Sequence, residues 1–362
     1  MKRLNKIYVF HEYGAVNHYR ALNWYITNQD DYEIVYREFS LLRKFVKGVI
    51  TFDLELIKKQ FVNLAFIIGL LFSSKNTIIV GIAPYDYRLA IFLPLLNRHK
   101  YFYHTSNTYW DYSIYPKRLF ANTRILKGIW KQFIENATGV FCVTKKAANG
   151  IKSYYNVSNV VVVNHSIISA YNLEFDEIKF LVHQKRINCL YSGRITQAKG
   201  IAIIFKLVES LSKEHFSFTF VGDGDMKQEL LEFIKNKSNC SYLGFIKNPE
   251  LIEVYKNADV LLQPSLKTQK WEELFGMSII EGMACATIPI TTNHSGPIEI
   301  IKHEKTGFLF SEQDYLNETI KILESFVVDN DQMIQIKKAA YIESKKYRAE
   351  NIFKKWNEYL HI

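Results

Sequence analysis

Residues 271–281 read Trp-Glu-Glu-Leu-Phe-Gly-Met-Ser-Ile-Ile-Glu, and the small residues Gly-Met-Ala-Cys-Ala follow at 282–286. Small residues of this kind suit a helix that packs tightly on a sheet. We expect the helix to begin near Gly276 or Met277, which leaves Glu273 as the last loop residue and puts Glu281 a turn or more inside the helix. The stretch therefore predicts a loop-to-helix junction packed against a sheet.

This junction combines an anion site with two carboxylates. A helix N-terminus carries free backbone N–H groups and a partial positive charge, so it can hold a phosphate. Glu273 and Glu281 would lie roughly 12 Å apart if most of the stretch is helical. That distance suits one ligand with hydroxyls at both ends and phosphates in the middle, which is the layout of a nucleotide-sugar. The alternative interpretation is that both glutamates are solvated charges on an ordinary amphipathic helix.

The composition indicates a globular protein of two domains. The chain has 362 residues, of which 48% are hydrophobic and 23% charged, and this balance excludes a disordered protein. The net charge of +10 predicts an anionic partner, and the alternatives are nucleic acid, a phosphorylated substrate and a membrane surface. The four cysteines lie far apart without metal-ligand spacing, which is typical of buried thiols in a reducing cytosol.

Apolar runs are short throughout the chain. The run near the basic N-terminus is too short for a signal peptide and fits a first strand instead. The longest run, Leu64 to Phe72, falls well short of the ~20 residues that a transmembrane helix needs. We therefore expect a cytoplasmic protein, and the positive charge leaves room for contact with a membrane.

Strand-like and helix-like runs alternate through the first half, with strands expected at 7–10, 77–80, 100–104, 138–143 and 160–163. Alternation of this kind predicts an α/β fold with a parallel, doubly wound sheet, in which ligands bind beyond the carboxyl ends of the strands. Gly14 follows the first strand and His104 ends a later one, so both are candidates for that edge. Gly14 is equally explained as a turn glycine and His104 as a hydrogen-bonded residue at a strand end. His11 and His18 are just as available as His104.

Two segments of the first half mix cations with apolar residues. Tyr115–Glu135 has apolar residues at helical spacing and five cations, and the aromatics Tyr109, Trp110 and Tyr112 precede it. The segment Arg37–Lys59 adds Arg43, Lys44, Lys47, Lys58 and Lys59 among apolar residues. Aromatics beside a basic helix suit a lipid headgroup interface. The alternative is an ordinary surface helix that covers the sheet.

The second half opens with a cationic loop. Residues 164–186 break the strand–helix rhythm and predict a linker, and a strand at 187–191 then runs into Ser-Gly-Arg-Ile-Thr-Gln-Ala-Lys-Gly at 192–200. Gly193 permits a tight turn, while Arg194 and Lys199 place two cations at the start of a helix expected at 201–213. A strand end, a glycine, two cations and a helix N-terminus favour a cradle for a diphosphate. A pair of solvated charges is the alternative.

Other loops at strand ends are less decisive. Asp223-Gly224-Asp225 is similar to a metal-binding Asp-x-Asp motif, but it sits in a glycine loop that opens a helix, so we interpret the acidic pair as helix capping. The loop 293–297, Asn-His-Ser-Gly-Pro, either closes over a ligand or makes an ordinary turn. An aromatic-rich helix is expected from Glu343 to Leu360.

Taken in order, landmarks of the second half resemble the family 4 retaining glycosyltransferases of the GT-B fold, of the kind that builds bacterial surface polysaccharides. The resemblance covers residues 188–312, and several spaced motifs in series are more specific than any one of them. The matching residues are Gly193-Arg194 with Lys199-Gly200, Val221-Gly222-Asp223-Gly224, Leu243-Gly244, Pro264-Ser265, Glu273-Leu274-Phe275-Gly276 with Glu281, and Thr306-Gly307-Phe308-Leu309. The first half matches only in layout.

The resemblance implies two Rossmann-like domains that face each other across a cleft. Residues 1–170 would form the acceptor-side domain and 171–186 the linker. Residues 187–342 would bind the nucleotide-sugar, and 343–362 would cross back as a helix that braces the first domain.

The resemblance also implies the roles of single residues. Arg194 and Lys199 would hold the diphosphate, Glu273 would contact sugar hydroxyls, and His104 would approach the reacting sugar. Glu281 would bind the ribose. The remaining donor-binding residues would be Gly14, Gly193, Gly222, Gly224, Phe245, Ile246, Phe275, Gly276 and Met277. No metal and no cofactor is expected, because the two cations and the helix dipole stabilise the leaving diphosphate.

By the same resemblance, a hexose-type sugar would pass with retention from a nucleotide diphosphate, UDP in preference to GDP, to a saccharide acceptor. The basic, aromatic first half favours a lipid-linked acceptor for O-antigen or capsule synthesis and a peripheral position at the inner face of the membrane. One alternative is a sugar-nucleotide 2-epimerase of similar fold, against which the Glu273–Glu281 stretch argues. A basic nucleic-acid-binding protein is suggested by net charge alone, without a recognisable motif. The third alternative is a catalytically inactive protein that senses nucleotide-sugars.

Overall fold

The chain divides into two compact units. The computed structural model describes residues 5–12, 14, 16–27, 32–73, 75–111, 123–177, 186–269 and 271–360. One unit comprises residues 1–166 together with 349–362, and the other comprises residues 167–348. The division thus falls at Ser166, inside the segment 164–186 that breaks the strand–helix rhythm but ahead of the narrower linker expected at 171–186, and the final segment joins the first unit from Ala349 rather than from residue 343.

The first unit contains a six-stranded, wholly parallel sheet in the order β2-β1-β3-β4-β5-β6. Its strands are β1 (Asn5–His11), β2 (Tyr32–Glu38), β3 (Thr77–Gly81), β4 (Lys100–Thr105), β5 (Gly139–Cys142) and β6 (Val160–Val162). Apart from Thr77 and Lys100, every residue of β3, β4 and β5 is buried, so these strands are covered on both faces, as central parallel strands are. The order reverses between β1 and β3, which is where open α/β sheets form their ligand crevice.

Six α-helices lie ahead of β6 in the described part of the first unit. They are α1 (Arg20–Thr27), α2 (Leu41–Ile50), α3 (Leu54–Phe72), α4 (Leu89–Leu96), α5 (Arg124–Glu135) and α6 (Lys145–Tyr154). Side chains of Asp53, Thr123 and Thr144 cap α3, α5 and α6 by accepting a backbone N–H bond three residues further on. Among the described residues, no helix is long and apolar enough to cross a membrane.

The described part of the basic segment 115–135 is an ordinary covering helix. In α5, Leu126, Trp130, Phe133 and Ile134 are buried in the core. Trp110 is also buried there, with its ring centroid 6.2 Å from that of Trp130. Tyr112 and residues 115–122 lie outside the described residues. Most of the exposed large apolar side chains described in this unit lie instead within residues 41–72, which form α2 and α3.

The second unit holds another parallel six-stranded sheet, in the order β12-β11-β10-β7-β8-β9. Its strands are β7 (Ile187–Ser192), β8 (Phe216–Val221), β9 (Cys240–Tyr242), β10 (Val260–Gln263), β11 (Ile288–Thr292) and β12 (Phe308–Phe310). This is the Rossmann order, and its reversal lies between β7 and β10. The residues that follow these two strands therefore occupy the favoured place for a ligand.

Helices cover both faces of this second sheet. They are α7 (Ile201–Ser210), α8 (Lys227–Ile234), α9 (Leu251–Lys256), α10 (Met277–Ala284), α11 (Pro297–Ile300), α12 (Tyr315–Val328) and α13 (Asn330–Ser344). The last helix of the chain, α14 (Ala349–Leu360), belongs to the first unit. There Phe353 stacks on Tyr25 of α1, and Trp356 packs on Phe141 of β5 with ring centroids 4.4 Å apart.

Candidate active site

The loop after β7 is built against the loop after β8. A Cβ atom on Gly222, where φ is +137°, would lie 1.8 Å from the carbonyl oxygen of Gly193. A Cβ atom on Gly224 would lie 2.2 Å from the carbonyl oxygen of Ile195. Only glycine fits at these two positions, since the atoms in the way belong to the backbone. The two glycines therefore bring the loops into backbone contact and fix the course of the chain around Arg194.

The acidic pair in the second of these loops does not cap a helix. Helix α8 begins after Met226 and has no side-chain cap. Asp223 accepts a bond from the N–H of Gly224 at 3.0 Å and lies 3.7 Å from the ammonium of Lys227. The capping role expected for this pair is therefore wrong: Asp223 bonds within its own loop, ahead of the helix.

The cation predicted for the diphosphate cradle contacts the predicted sugar-binding carboxylate. The ammonium of Lys199 pairs with the carboxylate of Glu273, and both side chains are largely buried. The ring of Trp271 completes this cluster, with Lys199 Nζ 4.9 Å and the Arg194 guanidinium carbon 5.9 Å from its centroid. The structure thus brings Arg194, Lys199 and Glu273 together around an aromatic residue that the sequence did not single out as a site residue.

The loop carrying Glu273 is fastened to residues 294–296. The N–H of Glu273 donates to Nδ1 of His294 at 3.2 Å, and its carbonyl accepts from the N–H of Gly296 at 3.1 Å. Because Nδ1 accepts, the ring proton is on Nε2, which lies 2.9 Å from the carboxylate of Glu312. The adjacent Glu272 is buried and accepts from the hydroxyl of Ser295.

These contacts give the loop 293–297 a structural task. It holds the backbone at Glu273 in place, which is more than the ordinary turn considered from the sequence and does not require the loop to close over a ligand. His294 and Glu312 were missed as site residues, because a strand-end position marks only His294, and no local pattern marks Glu312.

Helix α10 begins where expected. Gly276 is its N-cap at φ +110°, and the first bond from the helix runs from the N–H of Ile279 to the carbonyl of Gly276 at 3.1 Å. The N–H groups of the first turn, at Met277 and Ser278, precede that bond and make the positive end of the helix. Phe275 directly before them is buried.

Glu281 is a buried carboxylate in the second turn of α10. One of its oxygens accepts from the side-chain amide of Asn248 at 3.3 Å, and Asn248 accepts from the hydroxyl of Tyr171 at 2.7 Å. Burial, with the charge of Glu281 nearby, holds the pKa of Tyr255 well above its usual value. Three residues before Asn248, Phe245 exposes its ring, and Ile246 is half-buried.

In the first unit, Gly14 lies against a carboxylate. Its φ is +81°, and an added Cβ would lie 2.9 Å from a carboxylate oxygen of Glu38. That carboxylate ends β2 and binds Lys44 at 2.6 Å and Lys59 at 2.8 Å. Burial would raise the pKa of Glu38, but the hydrogen bonds from the two lysines outweigh it and lower the pKa.

His104 lies in a cluster of four histidines. Its Nδ1 is 3.2 Å from the hydroxyl of Tyr19, and its buried Nε2 has no hydrogen-bond partner among the described residues. The rings of His165, His18 and His11 follow, at centroid distances of 5.9, 4.8 and 5.9 Å along the row. Burial, and then these neighbours, hold the pKa of His104 well below its usual value, so its imidazole is neutral at pH 7.

Three comparisons place this geometry among known proteins. Residues 174–342 match the family model described as Glycosyl transferases group 1. The chain is 30% identical over 233 residues to the amylovoran biosynthesis glycosyltransferase AmsD of Erwinia amylovora, covering 62% of each chain. It is 26% identical over 206 residues to AmsK of the same organism, covering 55% of this chain and 46% of AmsK. The chain thus spans less than two thirds of the length of these relatives.

The solved structure of Anabaena Alr3699/HepE in complex with UDP has the same fold over the whole length. It superposes with a TM-score of 0.68 at 16% identity and covers 99% of this chain and 100% of its own. At that identity the likeness concerns the fold. The chain therefore has the GT-B fold, and its residues 174–342 are similar in sequence to the group 1 glycosyl transferases.

Proposed function

We propose that the chain is a retaining, metal-independent glycosyltransferase that moves a hexose-type sugar from a nucleotide diphosphate to a saccharide acceptor. The observation that carries this proposal is the cluster of Arg194, Lys199 and Glu273 at the switch point of the second sheet. The sequence similarity of residues 174–342 to group 1 glycosyl transferases supports the reaction class. UDP and UDP-glucose, bound in the HepE structures, support uridine over guanosine.

The proposed donor lies along the second unit. Arg194, Lys199 and the first turn of α10 hold the diphosphate, since two cations and free N–H groups neutralise its charge. Glu273 binds sugar hydroxyls, and Glu281 binds the ribose with one of its oxygens. Phe245 and Ile246 flank the base.

The proposed reaction replaces one bond to the anomeric carbon by another. The bond to the diphosphate oxygen breaks with oxocarbenium character, and the acceptor oxygen attacks from the same face. The proton of the acceptor hydroxyl passes to the departing phosphate. Arg194 and Lys199 act by stabilising the charge that develops on that phosphate. His104, as a neutral imidazole, and Gly14 are the first unit's proposed contributions to the reacting sugar and the diphosphate.

The acceptor we propose is a lipid-linked saccharide at the inner face of the cell membrane, where the protein is peripheral. Two relatives are named for amylovoran biosynthesis, which supports a role in surface polysaccharide synthesis. The net charge of +10 supports attraction to an anionic surface.

Thermal unfolding with nucleotides tests the donor proposal. Purified protein is melted with UDP, GDP and their common sugar conjugates, without added metal and with a chelator. A ligand at a hundred times its dissociation constant stabilises by about 2.7 kcal/mol, which raises the midpoint visibly. We expect a shift with uridine nucleotides that Arg194→Ala removes. Lack of a shift with every nucleotide would contradict the donor proposal.

A further inference from the structure

Helices α2 and α3 expose many large apolar side chains, although α3 buries two polar ones. The buried residues of α3 are Gln60, Asn63 and Leu70, and Asn63 accepts the backbone N–H of Glu38 at 3.2 Å. Half of the exposed large apolar side chains in the described part of the chain lie within residues 41–72. They are Leu42, Val46, Val49, Ile50, Phe52, Leu54, Phe61, Val62, Leu64, Ile68, Leu71 and Phe72. We call these twelve side chains the hairpin face; a soluble monomer rarely leaves so large an apolar patch uncovered.

The turn between the two helices presents an aromatic ring to solvent. Phe52 is 88% exposed and adopts φ +53°, a left-handed conformation that a bulky residue rarely takes. Backbone bonds on both sides hold this turn, from Thr51 to Lys47 at 2.9 Å and from Asp53 to Gly48 at 2.9 Å. Ile50 and Leu54 beside it are 71% and 76% exposed. The tip of the hairpin is thus a fixed apolar wedge.

Positive charge accompanies this apolar surface. Residues 41–72 contain five cations, Arg43, Lys44, Lys47, Lys58 and Lys59, against two carboxylates, Asp53 and Glu55. Lys44 and Lys59 bind Glu38, whereas Arg43, Lys47 and Lys58 are exposed among the apolar side chains. A second copy of this chain would bring like charges together at the same face. An anionic bilayer satisfies both features, because it buries apolar side chains and attracts cations.

We propose that the hairpin face is a docking surface for an anionic phospholipid bilayer, with α2 and α3 lying in the plane of the interface. At 19 residues, α3 is roughly 28 Å long. It carries Glu55, Lys58 and Lys59 and does not qualify as a membrane span. This proposal rests on the proposed function in one respect: a lipid-linked acceptor would explain why the protein docks on a membrane.

Sedimentation with vesicles tests this surface. The full chain is mixed with vesicles of phosphatidylcholine alone or with a third of phosphatidylglycerol, at low and high salt. The test variant is Ile50→Ser with Phe52→Asn, because asparagine tolerates the left-handed backbone. The matched control is Val328→Ser with Ile342→Ser, two side chains of the second unit that are 88% and 60% exposed. Since all four side chains are exposed, unfolding midpoints should stay close to that of the parent.

We expect the parent to bind anionic vesicles, with binding that weakens as salt rises. The hairpin variant should lose roughly tenfold or more in vesicle partitioning, while the control variant binds like the parent. An Arg43→Gln, Lys47→Gln variant should lose the preference for phosphatidylglycerol.

Failure of the parent to bind anionic vesicles would overturn the proposal, as would equal losses in the hairpin and control variants. A parent dimer in light scattering that the hairpin variant dissociates, without vesicle binding, would overturn it in favour of self-association. Vesicle binding by a protein that no nucleotide stabilises would sustain the docking surface and contradict the donor proposal instead.

Discussion

Lys199 contacts both the carboxylate of Glu273 and the ring of Trp271, so its ammonium is held where the proposed diphosphate leaves. We expect Lys199→Ala to lower kcat by roughly 10²–10³-fold, because a cation that stabilises the transition state is lost. Steady-state kinetics measure this, with Lys206→Ala on the exposed side of α7 as control. An unchanged kcat in a folded variant would remove Lys199 from the site.

His294 does not reach the proposed diphosphate itself; it positions Glu273 by accepting a hydrogen bond from the backbone N–H of that residue. His294→Ala removes two hydrogen bonds at about 1 kcal/mol each and frees the loop, so we expect kcat/KM to fall roughly ten- to thirtyfold. Glu312→Gln keeps an oxygen that accepts from Nε2, and it should remain close to the parent, whereas Glu312→Ala should behave like His294→Ala. Kinetics that do not separate the two Glu312 variants would argue against this positioning role. The exposed His303→Ala is the control.

Two glycines of the second unit separate the two ways in which an added side chain can destabilise a loop. At Gly222 it would clash with a neighbouring loop and strain the backbone, whereas at Gly244 it would only strain the backbone. Gly222→Ala meets a backbone oxygen at 1.8 Å and keeps a positive φ, so the β7 and β8 loops must move apart. Gly244→Ala has φ +75° and nothing within 4 Å, so only backbone strain of about 1 kcal/mol is added. We expect urea unfolding to show a loss of about 3 kcal/mol or more for Gly222→Ala. Equal losses in both variants would contradict the close approach of the loops.

Elements were predictable from the sequence where burial dictates composition. Strands β3, β4 and β7 are fixed by burial, and the bounds expected for them, 77–80, 100–104 and 187–191, each end one residue before the strand does in the structure. Strand β2 was not predicted, because it is an edge strand of mixed polarity in which five of the seven residues are half-buried. The helix expected at 201–213 ends at Ser210, since Leu211 turns back as extended backbone to bury its side chain.

The candidate site likewise contains residues that the sequence predicts and residues that it does not. Its cations and glycines occupy strand ends, a position that chain order reveals. Trp271, His294 and Glu312 join the site by tertiary contacts from separate elements, and no local pattern encodes such contacts. The mixture of cations and apolar residues at 37–59 was visible in the sequence, whereas the burial of Gln60 and Asn63 in α3 was hidden, because a sequence shows periodicity without showing which face is turned inward.

At the scale of the whole molecule, folding keeps several histidines neutral. Burial, with His18 nearby, lowers the pKa of His165 to about 3, and burial lowers the pKa of His11 to about 4. An unfolded chain takes up a proton on each near pH 6.5. Below pH 6.5 the unfolded state therefore binds more protons than the folded state. The contribution of these histidines to the free energy of unfolding is fully present above pH 6.5, and it is lost progressively as the pH falls towards their lowered pKa values.

We therefore expect the unfolding midpoint to fall steadily between pH 7.5 and pH 5, with His165 alone accounting for about 2 kcal/mol by pH 5. His165→Gln should flatten this slope, because the glutamine does not titrate, whereas His215→Gln on the exposed surface should leave it unchanged. Midpoints recorded across that range measure the slope directly, and comparing slopes rather than absolute midpoints removes any constant loss of packing in the His165 variant. A slope identical in all three proteins would mean that His165 takes up its proton equally readily in the folded and unfolded states, and the row of neutral imidazoles beside His104 would then have no thermodynamic basis.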